Sequence, residues 1–251
     1  MVHLPALPGA PGYAGSPEKA VEAALRDARA LAEGGADAVL IENFGDAPFH
    51  PGPVPPFTVA AMTAAVVAVR SAVDLPLGVN VLRNDGVSAL AVAVATRARF
   101  VRVNVLTGAR LADQGILQGI AHDLLRERAR VGAQGVRILA DVAVKHSAPL
   151  APLPLAHEVR DALARGGADA VIVTGEGTGE DTPPLALAEA RSAAGKAPVL
   201  VGSGVRPDTL PALLPLAGGF IVGTWLKEGG DVRRPVDPAR VRTLVETIRG
   251  S

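Results

Sequence analysis

The chain has 251 residues, 49% of them hydrophobic, so it can bury a sizeable core, and its length alone allows either one large α/β barrel or two ordinary domains. Its 25 basic and 25 acidic residues cancel to a formal net charge of +0, and only 3% of residues are aromatic, which argues against a nucleic-acid polymer as partner through either an overall field or stacking. The absence of cysteine excludes disulfides and thiolate chemistry, and with no run of about 18 uninterrupted apolar residues and no signal-peptide pattern at the start, a cytoplasmic protein without a transmembrane segment is expected.

Short apolar runs alternate with Ala- and Leu-rich stretches from end to end. Strands are predicted at Val2 to Leu4, Ala38 to Glu42, Leu77 to Val81, Phe100 to Val105, Ile138 to Val142, Ala170 to Thr174, Val199 to Gly202 and Phe220 to Gly223. Helices are predicted near 17 to 33, 58 to 72, 86 to 95, 114 to 130, 154 to 165, 183 to 194, 207 to 215 and 237 to 249, several of them opening on a proline that suits the first helical turn, as at Pro17 and Pro238. Eight βα units imply an α/β fold, a (β/α)8 TIM barrel of the phosphate-binding type occupying residues 1–251 as a single domain. A doubly wound open sheet is the alternative, but no GxGxxG turn follows the first strand.

GGADA at Gly34 to Ala38 returns at Gly166 to Ala170, four units later. LPLGVNV resembles APVLVGSGV, and ARFVRVNV parallels GGFIVGTW, at the same offset. The spacing fits a half-barrel repeat, and it also fits the general similarity of turn-plus-strand segments. The stretch Asn43 to Phe57 is rich in proline and glycine, and its three phenylalanines could pack it down as a lid or binding loop.

In VRVNV, the valines at 101, 103 and 105 alternate with Arg102 and Asn104, so valines facing outer helices leave the polar pair facing inward. The same parity turns Glu42, Asn80, Asp141 and Thr174 inward, toward one polar pocket at the strand ends. Burying such groups costs several kcal/mol unless they find partners or a ligand, which favours a binding or catalytic site. Asp141 and Glu42 are the leading proton-transfer candidates, with Asp85, Lys145 and His146 as further catalytic candidates. Asn80, Asn104, Arg102, Asn43, Asp46 and Thr174 are candidate substrate ligands. An ion pair with Arg102 is the bland alternative for either leading carboxylate. Lys145 shares the parity of Asp141, and a Schiff base there is conceivable if desolvation lowers its pKa. Glu42, Asp46, Asp85 and Asp141 offer oxygen ligands for a divalent metal ion, although no compact ligand motif is present.

Opposite them, Gly202, Ser203 and Gly204 end the seventh strand, and Gly223 and Thr224 end the eighth. Glycines let backbone N–H groups approach an anion, and this is the frequent phosphate position of such barrels. TGEGTG, from Thr174 to Gly179, could extend that cradle or form a mobile lip.

MVHLPALPG, ENFGDAPF, GVNVLRND, RVNV with TGA, DQG, ILADVAVKH, VTGEGTG, GSGV and IVGTWLK, in this order, resemble the BtpA family across essentially the whole chain. The resemblance implies a phosphate-binding (β/α)8 barrel and brings the family's naming link to photosystem I biogenesis, in which a member is described as an extrinsic thylakoid protein. Family members usually carry further residues ahead of MVHL, so either the first strand is short or the natural start lies upstream of Met1. The expected function is an enzyme that acts on a small phosphorylated metabolite, a sugar phosphate or a nucleoside or nucleotide derivative. It would use carboxylate-assisted proton transfer, with isomerisation, carbon–carbon cleavage and glycosidic hydrolysis all open. A non-catalytic assembly factor for a photosystem or membrane complex and a ligand-sensing barrel are the alternatives. The Ala- and Leu-rich helices could seat a homo-oligomer or simply form the barrel's own outer layer.

Overall fold

The computed structural model describes residues 1–250. Eight parallel strands form one sheet in the order β1 (Val2–His3), β2 (Val39–Glu42), β3 (Leu77–Asn80), β4 (Phe100–Val103), β7 (Arg137–Val142), β9 (Ala170–Val173), β10 (Val199–Val201) and β11 (Gly219–Phe220). The ring closes where the Met1 nitrogen donates to the Val222 carbonyl at 2.9 Å. Outside lie α1 (Pro17–Glu33), α2 (Pro56–Ala72), α3 (Gly86–Thr96), α4 (Ala121–Arg130), α5 (Leu155–Arg160), α6 (Pro184–Ala194), the short α7 (Leu210–Leu213) and α8 (Pro238–Arg249). This is the expected TIM barrel. The outward residues of the strands, Val39, Ile41, Val79, Val101 and Val103 among them, pack with Ala24, Ala28, Val66 and Leu90 of the helices in one continuous apolar layer. Parity follows from this: with the valines committed to that layer, the alternate positions are forced to the inside.

Two expectations fail. Residues 114 to 118 do not start the fourth helix, which begins at Ala121; β5 (Ala109–Ala112) and β6 (Gly115–Gln118) form a hairpin, and β8 (Ser147–Pro149) pairs with β5 to make a small antiparallel sheet over the barrel mouth. Gly115 sits at φ 93°, a conformation that suits a turn and not a helix interior. Alternation decides the faces, since Leu117 is buried while Leu111 and Ile116, directly opposite each other, are 51% and 55% exposed. The second failure is Phe57, which is 69% exposed at the start of α2 and pins nothing. In the same loop Phe44 does pack, stacked on His3 with ring centroids 4.5 Å apart.

Both copies of GGADA end a helix and turn on a left-handed second glycine, Gly35 at φ 86° and Gly167 at φ 66°. The segment after β11 is tied to α1 by Lys227, 1% exposed, whose ammonium donates to Asp27 at 2.6 Å. Asp27 also accepts the Val236 amide. Removing one member of a buried pair strands the other charge, so Asp27→Ala should lower unfolding free energy by about 3–5 kcal/mol. Urea denaturation measures this, and replacing Lys227 with Met in the same chain should recover part of the loss.

Candidate functional site

Strand register sets the floor of the barrel mouth. His3 pairs with Glu42, Glu42 with Asn80, and Asn80 with Arg102, so four inward side chains share one row. Asn80 Nδ2 donates to Glu42 Oε2 at 2.6 Å, and His3 Nε2 lies 3.9 Å from Glu42 Oε1. On the next strand Arg102 Nε and Nη2 both donate to Asp141, each at 3.1 Å, while Asn104 Nδ2 donates to Asp141 Oδ2 at 2.6 Å. Asp141 is thus committed to a buried, bidentate ion pair.

That pair divides the mouth. A cavity of about 150 Å³ lies on one side, lined by Glu42, Arg102, Lys145 and the turns carrying Gly202 to Gly204 and Gly223 to Thr224. A second, of about 220 Å³, lies on the other, lined by Asn104, Asp141, Arg110 and Glu158 together with Leu150 and Leu153. The single polar pocket expected from parity is therefore two, because the ion pair stands between them as a wall.

In the first cavity, the Ser203, Gly204 and Gly223 backbone N–H groups donate to no protein acceptor among the described residues. Gly204 holds φ 67°, and a Cβ there would lie 2.4 Å from Asp181 Cα. At Gly202 a Cβ would lie 2.6 Å from Ile172 Cγ2, so the glycines are required by close approach. Ser203 Oγ accepts the Gly175 amide at 2.6 Å, tying this turn to the TGEGTG segment, whose Thr178 and Gly179 form the rim. Four buried polar atoms at the strand ends lack a partner: His3 Nδ1, Asn80 Oδ1, Asn104 Oδ1 and Thr174 Oγ1. Native interiors leave few such groups.

Lys145 lines the first cavity, and its ammonium makes no hydrogen bond among the described residues. Its backbone is fixed by Arg83 Nη2, which donates to the Lys145 carbonyl at 2.6 Å. Burial, then the Arg102 guanidinium, pushes the ammonium below its ordinary value against the pull of Glu42 and Asp141. Burial works against charge at Arg102 too, but Asp141 and Glu42 hold it above its ordinary value. His3 is driven well below its usual range by burial and by Lys227, with Lys145 and Arg102 adding to the effect, so its imidazole is neutral at pH 7.

Other expected site residues lie elsewhere. His146 sits outside, at φ 55°, with Nε2 3.0 Å from Thr178 Oγ1 on the rim. Asp85 does not reach the cavity: one oxygen caps α3 through the Ser88 amide at 2.9 Å and the other takes the Val54 amide at 2.8 Å. Asn43 and Asp46 hold the loop after β2, since Asp46 accepts from Leu7 N and from Asn43 Nδ2 and Asn43 Oδ1 accepts from Leu82 N. Among the described residues no three His, Cys, Asp or Glu side chains gather into a metal cluster, and Asp46 and Asp85 are spent on backbone amides away from Glu42 and Asp141. Sequence parity missed His3, Trp225 and Arg206, all lining the first cavity. For Arg206 the signal was available, because it follows the GSG turn by two residues; its guanidinium pairs with Asp181 and Asp208.

The model of the BtpA family matches residues 1–250. The chain belongs to the BtpA family. Its relatives include an uncharacterized protein of Thermococcus kodakarensis, 49% identical over 99% of this chain and 94% of the relative, and the Photosystem I biogenesis protein BtpA of Synechocystis, 43% identical over 99% of this chain and 86% of the relative. Among solved structures, phosphoribosyl anthranilate isomerase of Thermus thermophilus is similar at TM-score 0.56, with 16% identity, 90% of this chain covered and 94% of the other. KGPDC of Streptococcus mutans matches at TM-score 0.58, with 13% identity and 92% of each chain. At these identities the shared property is the barrel fold.

The neutral His3 imparts a pH dependence. The unfolded chain takes up a proton at His3 below about pH 6.5 while the folded chain does not, so this residue's contribution to stability is intact above pH 6.5 and is lost as pH falls toward the lower folded value. Between pH 7.5 and 5 the wild type should lose about 1–2 kcal/mol more unfolding free energy than His3→Gln, at up to about 1.4 kcal/mol per pH unit. Equal losses in urea titrations of the two proteins would show that His3 is not held neutral.

Proposed function

We propose that this BtpA-family barrel is an enzyme acting on a small phosphorylated metabolite, with the phosphate on the Gly202 to Gly204 and Gly223 to Thr224 turns and a proton moved by Glu42. The observation that carries this reading is the set of unused N–H groups at Ser203, Gly204 and Gly223, lining the same cavity as an inward carboxylate and an unpartnered ammonium. Backbone N–H groups converging at glycine turns suit an oxyanion, and the Arg206 guanidinium, held at the rim by Asp181 and Asp208, has N–H donors left over for the same ion. The cavity's small volume suits a compact substrate.

The role of each residue follows from its partners. Glu42 faces the cavity with Asn80 orienting one of its oxygens, whereas both oxygens of Asp141 are held by Arg102 and Asn104, so Glu42 carries the proton and Asp141 positions Arg102. Lys145 stabilises negative charge that develops on a substrate oxygen. Thr174 Oγ1 and Asn80 Oδ1, both without protein partners, are the orienting contacts. Proton transfer beside a carbonyl or an anomeric carbon is the reaction this set supports, leaving isomerisation, carbon–carbon cleavage and glycosidic hydrolysis as its outcomes. Barrel neighbours whose names denote phosphoribosyl chemistry support the class.

The assembly-factor reading rests on the Synechocystis relative's name alone. A Caenorhabditis elegans relative is 30% identical over 99% of this chain, so membership does not track photosynthesis. No helix among the described residues is long and apolar enough to cross a membrane.

A thermal-shift screen of phosphorylated metabolites, followed by product analysis of the hits, tests the proposal. Glu42→Gln should keep the fold and phosphate affinity while turnover falls about 10²- to 10⁴-fold. Near-normal turnover would take Glu42 out of the mechanism. Arg206→Gln should raise the apparent Kd for inorganic phosphate several-fold, by about 1 kcal/mol, in calorimetry.

A further inference from the structure

We infer that Lys145 is a covalent catalyst that forms an imine with the carbonyl carbon of a phosphorylated aldose or ketose seated in the first cavity. The inference rests on the anion-seat reading of that cavity and goes beyond it, because it names the bond formed and restricts the substrate to carbonyl compounds.

The chain has four lysines. Lys19 and Lys196 are exposed on the outer surface, and Lys227 is locked to Asp27 at 2.6 Å. Lys145 alone among them lines a cavity while making no hydrogen bond among the described residues. A structural lysine in such a place is expected to have an acceptor, since burying an unpaired ammonium is costly. Here Asp141 is taken up by Arg102 and Asn104, while Glu42 accepts from Asn80 through one oxygen and has the other open to receive a proton. The charged groups acting on Lys145 are the guanidiniums of Arg102 and Arg83 and the carboxylates of Glu42 and Asp141. A second cation beside a desolvated lysine is a known means of releasing the free amine that nucleophilic catalysis needs.

The chemistry closes with the cavity's own groups. Lys145 gives one proton to Glu42, and the neutral amine adds to the carbonyl carbon. The carbon–nitrogen bond forms as the carbonyl π pair moves to oxygen, which takes the proton back from Glu42. The nitrogen then loses a second proton to the same oxygen through Glu42, and water departs, so that ammonium plus carbonyl has become iminium plus water. The iminium withdraws electrons from the adjacent carbon, whose proton or carbon–carbon bond is then labile, and hydrolysis restores the ammonium. The glycine turns hold the phosphate so that the carbonyl reaches Lys145.

Reductive trapping tests this on the intact protein. Dihydroxyacetone phosphate and ribose 5-phosphate are each incubated with sodium cyanoborohydride, beside their unphosphorylated counterparts, and the chain is mapped by mass spectrometry. At least one phosphorylated probe should add its own mass less one oxygen at Lys145, far above any labelling of Lys19 or Lys196, and inorganic phosphate should suppress the adduct. Lys145→Arg keeps the charge, so it should retain the thermal shift with inorganic phosphate and lose the adduct. If inorganic phosphate stabilises the wild type but neither probe labels Lys145 above the surface lysines, the imine is overturned and the anion seat stands. If phosphate gives no thermal shift, the anion-seat reading fails, and the inference fails with it.

Discussion

A buried charge pair inside the barrel, Arg102 with Asp141, sets the terms for everything around it. Taking two ions out of water costs several kcal/mol each, and only good geometry returns that energy. Here the guanidinium meets the carboxylate through two nitrogens, and Asn104 supplies a third hydrogen bond. Because Asp141 and Glu42 keep Arg102 firmly charged, its field reaches the groups that share the mouth. Lys145 and His3 are both pushed toward their neutral forms, chiefly by burial, with Arg102 contributing to each. One ion pair thereby partitions the mouth, takes up both oxygens of Asp141 and biases two other titrating groups.

How much of this was legible in the sequence depends on the range of the interaction. Parity in short β runs is a backbone property, so the inward placement of Glu42, Asn80, Arg102, Asn104, Asp141 and Thr174 could be read without any tertiary information. Arg102 as partner of Asp141 was also readable, because both lie on adjacent strands with the same parity. The roles of Asp85, Asn43 and Asp46 were not, since they depend on which backbone amides the neighbouring loops leave unpaired, and no residue pattern shows that. LADQGILQG was ambiguous for a different reason: Leu111, Ile116 and Leu117 mark out neither a helical face nor a strict alternation, and the pairing with β8 from a distant segment decides the outcome.

His3 shows a third kind of limit. Its inward direction went unread although Val2 and Leu4, both inside the apolar layer, flank it on the first strand. What the sequence could not supply was its surroundings, a stacked Phe44 from the next loop and the Lys227 charge arriving from more than 200 residues away. An imidazole reads as a general acid or base only until those neighbours are known; with them it is a neutral group whose Nδ1 lacks a partner.

The four-unit echo runs parallel to the division of the mouth between glycine turns and larger polar side chains. Aligning GGADAVLIE with GGADAVIVT puts Glu42 opposite Thr174; aligning LPLGVN with APVLVG puts Asn80 opposite Gly202; aligning ARFVRVN with GGFIVGT puts Asn104 opposite Thr224. At each equivalent position the first half carries the larger polar or charged side chain, and the second half carries a smaller group. Strands of one half therefore fill the barrel's interior, and those of the other leave room above it. The Gly202 position shows how tight this division is: a Cβ there would also come within 3.5 Å of Arg102 Nη2, so the charged group from the first half uses the space that the second half gives up. The overlap that forbids a side chain at Gly202 is with Ile172 Cγ2 at 2.6 Å and Thr174 Cγ2 at 3.0 Å on the neighbouring strand, while the guanidinium would be in ordinary contact, so the glycine answers to the packing between these two strands.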